Sequence, residues 1–448
     1  MKNRGATGLF FAKTMLFIVV LGAFFVGQKI FYEETLFYYW GNYIVLLLYT
    51  ANLFFTSTIY HGFRFGSLDL REIIPSWILC LIITNGLEYL QLSLLESAML
   101  PVKGFLIVLL AQLALVIPLA CLIDRLYYRL NPAQEALIIS GDEKKAREYS
   151  AIILQHRKKF KIGSILKQDE PMQSLKESID SSDSVFFLDV DERQRGALLE
   201  YCFLKDKRAY ILPTFSGVLL NTAGVSWISN TPMFLPKAAI AEPVSLFAKR
   251  LLDIVLSLLG IILTSWLMLI TLAAIRLSDR HPAIYKQVRL TKGGRRFTIY
   301  KFRSMRPDSE DDGVPRLTAK GDARITPVGR LIRRTRIDEL PQLFNVLSGA
   351  MSLVGPRPER PEIAGQYEEK YPSFSFRTKV KAGITGLAQI YGRYNTAPEE
   401  KLLLDIMYIE TFSIWQDVKL LLQTVKVLFI SSNTEGIEEG ETTAMKKD

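Results

Sequence analysis

The chain has 448 residues, more than one ordinary domain needs, so we expect several domains. Hydrophobic residues make up 49% and the mean hydropathy is +0.18, which favours a chain that is part membrane-embedded and part water-soluble over a wholly soluble protein or a pure transporter. The net charge of +10 fits nucleic acid, an anionic membrane face or phosphorylated substrates as partners. The three cysteines and three histidines show no disulfide framework or zinc-type spacing, so a metal would need oxygen ligands, as magnesium and manganese do.

Residues 1–130 are predicted to form a domain of four transmembrane helices. Its four apolar segments each approach the roughly 20 residues that cross a bilayer; they are residues 15–30, 43–60, 74–95 and 105–123. No small-residue cleavage site follows the first segment, which indicates an anchor and not a signal peptide. Basic residues lie before the first segment, between the second and third segments, and after the fourth. The positive-inside rule therefore places both termini of this domain in the cytoplasm. A buried core helix is the alternative for any single segment, but four in series disfavour it.

Residues 131–240 are predicted to form a Rossmann-like α/β module in the cytoplasm. The runs "ALIIS", "KIGSIL", "SVFFLDV" and "RAYILP" are typical of buried strands, with helical patterns in "DEKKAREYSAIILQHRKK" and "ERQRGALLEYCFLK". This alternation predicts a parallel sheet. The first turn, "ISGDEKK", has one glycine where a dinucleotide fingerprint needs several, so a structural or regulatory role is favoured over nucleotide binding.

The next apolar segment, residues 249–280, is long enough to cross the membrane but is basic at both ends. Lys249 and Arg250 precede the apolar run, and Arg276 and Arg280 follow it, so a straight crossing would place one basic cluster on the wrong face. We therefore predict a re-entrant membrane helix that returns to the cytoplasmic leaflet. A bend requires internal partners for freed backbone groups, and the hydroxyls available for this are Ser257, Thr264 and Ser265.

Residues 281–430 are basic, with fifteen Lys and Arg against seven Asp and Glu between positions 286 and 339. Clustered arginines bind phosphate groups bidentately, and a membrane-facing patch is a compatible alternative. We expect no nucleic-acid partner, because no basic motif interleaved with aromatic residues occurs. Residues 417–430 fit either a helix lying on the membrane or a core helix. The polar tail, residues 431–448, is predicted to be disordered.

An adjacent carboxylate pair, Asp338 and Glu339, stands directly before Leu-Pro within this basic region. Pro341 is tolerated in the first turn of a helix, so a helix is predicted to begin near Leu340. At that end the helix dipole and neighbouring guanidinium groups favour ionised carboxylates. Ionised carboxylates coordinate magnesium or attack phosphorus, but helix capping is the commoner use of an Asp-Glu pair. The residue pattern alone leaves these roles open.

Four motifs together resemble the bacterial sugar transferase family, the polyprenyl-phosphate hexose-1-phosphate transferases that begin capsule, exopolysaccharide and O-antigen repeat units. They are "KFRSM" (301–305), "RTRIDELPQLFNVLSGAMSLVGPRPERP" (334–361), "VKAGITGLAQIYGR" (380–393) and "LDIMYIETFSIWQDVKLLL" (404–422). The resemblance implies a mixed, mainly α catalytic domain over residues 247–430. The preceding helices and α/β module resemble the large multidomain branch of the family. The chain departs from the family in having Ala382-Gly383 for the usual Pro-Gly, and in lacking a proline in the re-entrant helix.

The resemblance also implies a role for each matching residue. Asp338 would be the nucleophile that attacks the sugar-bearing phosphate of a UDP-sugar, releasing UMP and forming an aspartyl phospho-sugar. Polyprenyl phosphate would then take the sugar phosphate to give a polyprenyl-diphospho-sugar. Glu339, with Asp338, would hold Mg²⁺. The other matching residues would bind phosphates (Lys301, Arg303, Arg333 and Arg357) or line the substrate pocket (Thr385, Gln389 and Arg393).

These partners imply a location at the bacterial inner (cytoplasmic) membrane, with the catalytic domain in the cytoplasm. Polyprenyl phosphate keeps its tail in the membrane lipid while the nucleotide sugar stays in the cytosol, so only an interfacial site meets both. A transporter would carry paired intramembrane polar residues and repeated halves, neither of which we identify in the sequence. A scaffold protein would release no UMP. The sequence leaves open the sugar, which is glucose, galactose or an N-acetylated sugar, and it leaves open a homodimer through the membrane helices or the α/β module.

Overall fold

The structure is a computed structural model that describes residues 2–32, 40–236, 243–279, 281–306, 322, 324–392 and 397–428. It divides into two compact units, residues 1–212 and 213–448. The helices are α1 (Lys2–Tyr32), α2 (Gly41–Ile59), α3 (Leu70–Leu95), α4 (Val102–Leu130), α5 (Glu143–Gln155), α6 (Met172–Ser181), α7 (Glu192–Leu204), α8 (Phe215–Asn221), α9 (Pro243–Asp279), α10 (Pro327–Arg334), α11 (Gln342–Leu347), α12 (Pro361–Lys370), α13 (Leu387–Tyr391), α14 (Pro398–Glu410) and α15 (Ile414–Leu428). The strands are β1 (Gln134–Ser140), β2 (Phe160–Lys167), β3 (Ser184–Leu188), β4 (Arg208–Ile211), β5 (Gly224–Ile228), β6 (Thr231–Leu235), β7 (Ile284–Leu290), β8 (Arg296–Phe302), β9 (Ser352–Val354) and β10 (Gly383–Thr385).

The four predicted apolar segments of the first unit are all helices, α1 to α4. In the part of the chain that the structure describes, these four and α9 are long and apolar enough to cross a membrane, which fits a membrane protein. A shared core holds the four helices together, with side chains such as Leu16, Tyr49, Leu53 and Trp77 fully or almost fully buried. Phe24 and Tyr49 stack face to face between α1 and α2, with their ring centroids 3.6 Å apart.

Polar side chains pair inside this helical core. Asn85 Nδ2 donates to Gln112 Oε1 at 2.7 Å, and Gln112 Nε2 donates to the Tyr49 hydroxyl at 2.8 Å. The hydroxyls of Thr56 and Thr84 are 2.8 Å apart. The expectation of no paired intramembrane polar residues is therefore wrong. The partners lie in different apolar segments, and only the packing of α2, α3 and α4 brings them together.

The same unit contains a four-stranded parallel sheet in the order β2-β1-β3-β4. Its strands and the helices α5 and α7 coincide with the predicted segments, whereas α6 was not predicted. At the start of α5 the Asp142 side chain accepts a hydrogen bond from Lys144 N at 2.8 Å, and Glu143 follows directly. A carboxylate therefore already caps this helix end, which disfavours phosphate binding there.

The second unit begins earlier than the predicted boundary. We assigned residues 213–240 to the α/β module, but the structure groups them with the second unit. Within that unit Val218 of α8 is buried in the same core as Val346, Ile406 and Leu420. Helix α15 contributes Leu420 to this core and buries Asp417 and Gln423 on the same face. For residues 417–428 the core-helix interpretation is therefore favoured over the membrane-surface one, and residues 429–430 lie outside the described residues.

Helix α9 contacts the rest of its unit near both of its ends. Near the N-terminal end, the two terminal nitrogens of Arg250 donate to the carbonyl oxygens of Val346 and Leu347 at 2.7 and 2.8 Å. Near the other end, Met268 and Ile275 form a buried cluster with Phe302 and Ile332. The opposite face of α9 is exposed and apolar; its side chains include Leu251, Val255, Leu258, Ile262, Trp266 and Ile270. One face of the helix therefore packs against its own unit, and the opposite face is of the composition that suits an apolar medium.

The predicted hydroxyls in α9 bond to carbonyl oxygens of their own helix. Thr264 Oγ1 donates to Gly260 O at 2.7 Å, Ser265 Oγ to Ile262 O at 2.9 Å and Ser257 Oγ to Ile254 O at 3.2 Å. Hydrogen bonds of this kind often bend helices. The helix itself runs without interruption from Pro243 to Asp279, and the re-entrant path stays a prediction.

Candidate active site

The carboxylate pair lies in a tight turn between α10 and α11. Residues Ile337–Glu339 form a 3₁₀ turn, and Arg336 before it adopts a left-handed backbone conformation with φ of 57°. Ile337 and Leu340 pack against the buried cluster that contains Phe302 and Ile332, and this packing fixes the position of the turn. The helix predicted to begin near Leu340 instead begins at Gln342, because the 3₁₀ turn takes up the residues before it.

Glu339 is the centre of a group of cations. Its Oε1 atom lies 2.9 Å from Arg357 Nη2, 3.1 Å from Lys301 Nζ and 3.8 Å from Arg336 Nη1. Burial raises the pKa of Glu339, but the positive charges of Lys301, Arg357 and Arg336 outweigh it and hold the pKa well below its usual range. Burial lowers the pKa of Lys301, and the Glu339 charge opposes this. Glu339 is therefore an ionised carboxylate engaged by cations from three parts of the chain.

Asp338 is buried beside Glu339 and is placed differently. Its Oδ1 atom is buried and has no hydrogen-bond partner among the described residues. Burial, and then the negative charge of Glu339, raises the pKa of Asp338 to about 6, against the positive charges of Lys301, Arg333 and Arg336. The adjacent carboxylates thus differ: Glu339 is held by cations, whereas Asp338 has an unengaged oxygen and still ionises below neutral pH.

Two arginines that we did not predict, the buried Arg377 and the partly buried Arg289, hold the segment carrying Arg357. Arg377 Nη2 donates to Arg357 O at 2.9 Å, and Arg289 Nη1 donates to Pro358 O at 3.1 Å. Arg377 also pairs with Asp405, with Nη2 and Oδ2 2.7 Å apart. Because these partners are distant in the chain and show no local spacing signal, the sequence alone could not identify them.

The other predicted residues lie at several places around this group. Arg303 directly follows β8, where its backbone N donates to Ala283 O at 2.8 Å. Thr385 Oγ1 is 2.7 Å from Thr424 Oγ1, and its carbonyl accepts from Gly355 N at 2.8 Å. Gln389 lies near Gly355, and both of its side-chain polar atoms are buried without a hydrogen-bond partner in the described chain. Arg393 lies outside the described residues.

The local structure explains why this chain has Ala382-Gly383 at the position where Pro-Gly was expected from the resemblance. The Ala382 N–H donates to Thr291 Oγ1 at 3.3 Å, a bond that proline, which has no N–H, could not make. A Cβ on Gly383 would lie 2.1 Å from Gly355 N, so this position must be glycine. The strand pair β9–β10 therefore keeps its close approach despite the alanine.

The carboxylate pair fits the magnesium ion that the resemblance implies. The described residues contain no cluster of three or more acidic, His or Cys side chains, so a cage of protein ligands is absent from them. Magnesium commonly takes only one or two carboxylates and completes its shell with substrate phosphates and water. Asp338 Oδ1, buried and without a partner, is an oxygen of the required type beside the Glu339 carboxylate.

Comparison with known proteins agrees with the motifs. A family model described as bacterial sugar transferase matches residues 244–431. The uncharacterized sugar transferase EpsL of Bacillus subtilis is 42% identical over 191 residues, which cover 43% of this chain and 90% of EpsL. This chain belongs to the bacterial sugar transferase family. The match includes Asp338, Glu339 and all the other predicted site residues, so the group described above lies in the bacterial sugar transferase region.

Two further relatives carry more specific names. The UDP-N-acetylgalactosamine-undecaprenyl-phosphate N-acetylgalactosaminephosphotransferase of Aeromonas hydrophila is 42% identical over 51% of this chain and 54% of that protein. The UDP-glucose:undecaprenyl-phosphate glucose-1-phosphate transferase of Klebsiella pneumoniae is 39% identical over 49% of this chain and 48% of its own length. The aligned region thus spans about half the length of these members of the bacterial sugar transferase family.

Proposed function

We propose that this chain transfers a sugar 1-phosphate from a UDP-sugar to polyprenyl (undecaprenyl) phosphate, which is the first membrane step in building an exopolysaccharide, capsule or O-antigen unit. The observation that carries the proposal is the buried, unpartnered oxygen of Asp338 beside a carboxylate already engaged by cations. The names of the Aeromonas and Klebsiella relatives, both undecaprenyl-phosphate sugar transferases, support it. Since those names specify different sugars, the sugar used here stays open.

In the first step the Asp338 carboxylate attacks the phosphorus that carries the sugar. A bond forms between the carboxylate oxygen and that phosphorus, and the bond from phosphorus to the bridging oxygen of the UDP-sugar breaks, so UMP leaves with the bonding electrons. The product is an aspartyl phospho-sugar. An ionised carboxylate is required, and with a pKa of about 6 Asp338 is mostly ionised at neutral pH.

In the second step a phosphate oxygen of polyprenyl phosphate attacks the same phosphorus. The acyl-phosphate bond breaks, the Asp338 carboxylate is restored, and the polyprenyl-diphospho-sugar is released. The cations around Glu339 are placed to offset the negative charge of the transferring phosphate, with Lys301 and Arg357 within 3.1 Å of Glu339 Oε1 and therefore close to Asp338. We assign phosphate contacts to Arg303 and Arg333 as well, and substrate contacts to Thr385, Gln389 and Arg393.

We further propose that Asp338 and Glu339 hold Mg²⁺ together with the substrate phosphates. The bound ion would stabilise negative charge on the transferring phosphate. Full activity should return when EDTA-treated protein is dialysed back into magnesium, and should be lost in EDTA alone. Activity that persists in EDTA would remove the metal from the proposal without touching the role of Asp338.

The membrane arrangement that suits this chemistry is a re-entrant α9 with the second unit in the cytoplasm of the bacterial inner membrane. The contacts of Arg250 and Ile275 with the same unit support it, because a helix that crosses the bilayer would separate its two ends. We infer that the parallel sheet of the first unit is a Rossmann-like module. A homodimer is compatible with this arrangement, and the predicted disordered tail lies outside the described residues.

The decisive experiment is to trap the aspartyl phospho-sugar. Full-length protein is incubated with a radiolabelled UDP-sugar and no polyprenyl phosphate, and the labelled protein is isolated under acidic conditions. Asp338→Asn should lose the covalent label and at least a thousandfold of the UMP release, since an amide does not replace an ionised carboxylate as nucleophile. Turnover by this variant at more than a few per cent of the original rate would overturn the assignment.

Asp405→Asn is the matched control. Asp405 is also a buried carboxylate with a pKa raised by burial to about 6, but it pairs with Arg377 and is not part of the carboxylate pair. Its amide variant should still form the covalent label. If both variants lose the label equally, the loss reflects damage to the fold and does not identify the nucleophile.

A further inference from the structure

A second group of basic side chains lies near Gly349 and the N-terminal end of α9. We call this group the basic cradle; Arg250 and Lys381 lie beside Gly349 itself, and Lys292 and Arg295 lie close enough to Lys381 for their charges to act on it. A Cβ atom added to Gly349 would lie 3.4 Å from Arg250 Nη2 and 3.7 Å from Lys381 Nζ. Gly349 has φ of +86°, a conformation that favours glycine. Gly349 therefore contributes no side chain to the cradle, and Arg250 and Lys381 border the space that a side chain there would fill.

The cradle is built from loops that are tied to each other. Lys292 and Arg295 lie in the turn between β7 and β8, where Arg295 Nε donates to Lys292 O at 3.3 Å. Thr291, next to them, donates from Oγ1 to Ala350 O at 2.8 Å and accepts from Ala382 N at 3.3 Å. One threonine thus joins the turn to the loop of Gly349 and to the loop of Lys381.

The positive charges of the cradle are not matched by ion pairs among the described residues. Burial, and then the charges of Arg250, Lys292 and Arg295, lower the pKa of Lys381, with Asp253 opposing them. Asp253 Oδ1 already accepts from Leu353 N at 2.9 Å and Ser352 Oγ at 3.1 Å. Within the described part of the chain, neither Lys292 nor Lys381 forms an ion pair with an acidic side chain. Cations that repel each other in this way are stabilised by a bound anion.

The cradle is separate from the carboxylate pair. Lys301, which contacts Glu339, lies near one end of β8, and the cradle turn lies beyond the other end, roughly 20 Å along the strand at 3.3 Å per residue. Likewise Arg250 binds the last carbonyl oxygens of α11, whereas the carboxylate pair precedes the first turn of that helix. A phosphate bound in the cradle would therefore not be the one that reacts at Asp338.

The cradle borders the apolar face of α9. Phe247 and Leu251, about one turn before and one residue after Arg250, are 71% and 53% exposed. Cations beside exposed apolar side chains match the headgroup level of a bilayer, where an anionic phosphate lies above its acyl chains. We propose that the basic cradle binds the phosphate of an anionic membrane phospholipid whose acyl chains lie against Phe247 and Leu251. This site would hold the start of α9 at a fixed depth in the membrane, independently of the sugar transfer.

The test measures lipid retention by the full-length protein. The chain is placed in nanodiscs of phosphatidylcholine and phosphatidylglycerol, and native mass spectrometry counts the phosphatidylglycerol molecules that stay bound. The double variant Lys292→Gln/Arg295→Gln changes two exposed turn residues and should weaken retention on the order of fivefold per cation removed. Lys381→Gln, changed alone, should weaken it by a similar factor.

The matched control is Lys286→Gln/Lys370→Gln, which removes the same charge at exposed positions of the same unit outside the cradle. Unchanged retention in this control, with loss in the cradle variant, is the expected result. Equal losses in both would reduce the effect to general surface charge and overturn the site, as would unchanged retention in the cradle variants. Displacement of phosphatidylglycerol by one equivalent of polyprenyl phosphate, but not by inorganic phosphate, would assign the cradle to the acceptor lipid and also overturn the proposal.

Discussion

At the scale of single residues, the central feature is that two adjacent carboxylates have opposite environments. Glu339 reaches the cations of β8 and of the Pro-Arg-Pro segment, so its charge is matched. Asp338 is buried with an unpartnered oxygen and feels the negative charge of Glu339. The sequence indicated the pair because the residues are adjacent, but it could not distinguish their environments, since the cations come from distant parts of the chain.

The raised pKa of Asp338 gives a pH profile for formation of the aspartyl phospho-sugar. Only the ionised carboxylate attacks phosphorus, so the rate should be nearly constant at neutral pH, fall through a midpoint near pH 6, and drop about tenfold per pH unit below it. Quenched single-turnover measurements of covalent labelling between pH 5 and 8 would give this midpoint separately from product release. A midpoint near the ordinary value for aspartate, about pH 4, would contradict the burial argument.

Neighbouring charges supply the controls for this profile. Glu339→Gln removes a negative charge that raises the pKa of Asp338, so the midpoint of the residual rate should move to lower pH. Arg333→Gln removes a positive charge that lowers the same pKa, so the midpoint should move to higher pH. Shifts in the same direction for both variants would show that another group is titrating.

At the scale of elements, the spacing of apolar residues in the sequence predicted the longer helices and strands. It missed short elements that form only through contacts with distant segments. The four apolar helices, the parallel strands and helices α5 and α7 are confirmed, because each buries a continuous run or one face that the sequence displays. The short strands β9 and β10 and the short helix α8 were not predicted. A three-residue strand has too few residues for a pattern, and β9 forms only by pairing with β10, which lies in another motif.

Helix α9 gives a prediction at this scale, because both of its ends contact the second unit. Single cysteines at the exposed positions Val244→Cys and Leu277→Cys, in a chain whose free cysteines are replaced by alanine, should both react with a membrane-impermeant maleimide only after the cytoplasmic side is opened. A through-span would separate the ends, so labelling of one position from outside would exclude the re-entrant path.

Trp40→Cys is the control for these two positions. Trp40 is 71% exposed and lies directly before α2, in the connection from α1. The charge pattern places this connection outside the cytoplasm. It should react in intact cells without opening the cytoplasmic side. Failure of this control to react would mean that the predicted orientation, and not only the path of α9, needs revision.

At the scale of the whole molecule, the described residues of the proposed chemistry all belong to the second unit. This unit has its own cores, one around Val346 and Ile406 and another around Phe302 and Ile332. The Bacillus relative supports the same division, because a match that covers 43% of this chain accounts for 90% of that protein. The sequence predicted a catalytic domain beginning at residue 247, but α8 lies before that boundary and packs inside the second unit.

A truncated chain of residues 213–448, which keeps α8 and the membrane helix α9, should therefore still form the covalent phospho-sugar in membranes. A chain of residues 243–448 should form it as well but be less stable, because it loses Val218, whose buried side chain alone contributes about 1.5–3 kcal/mol. Thermal inactivation of covalent labelling, measured for both truncations and the full chain, compares them directly. If only the full chain forms the label, the first unit is needed for catalysis; if the two truncations are equally stable, α8 is not part of the folded core of the second unit.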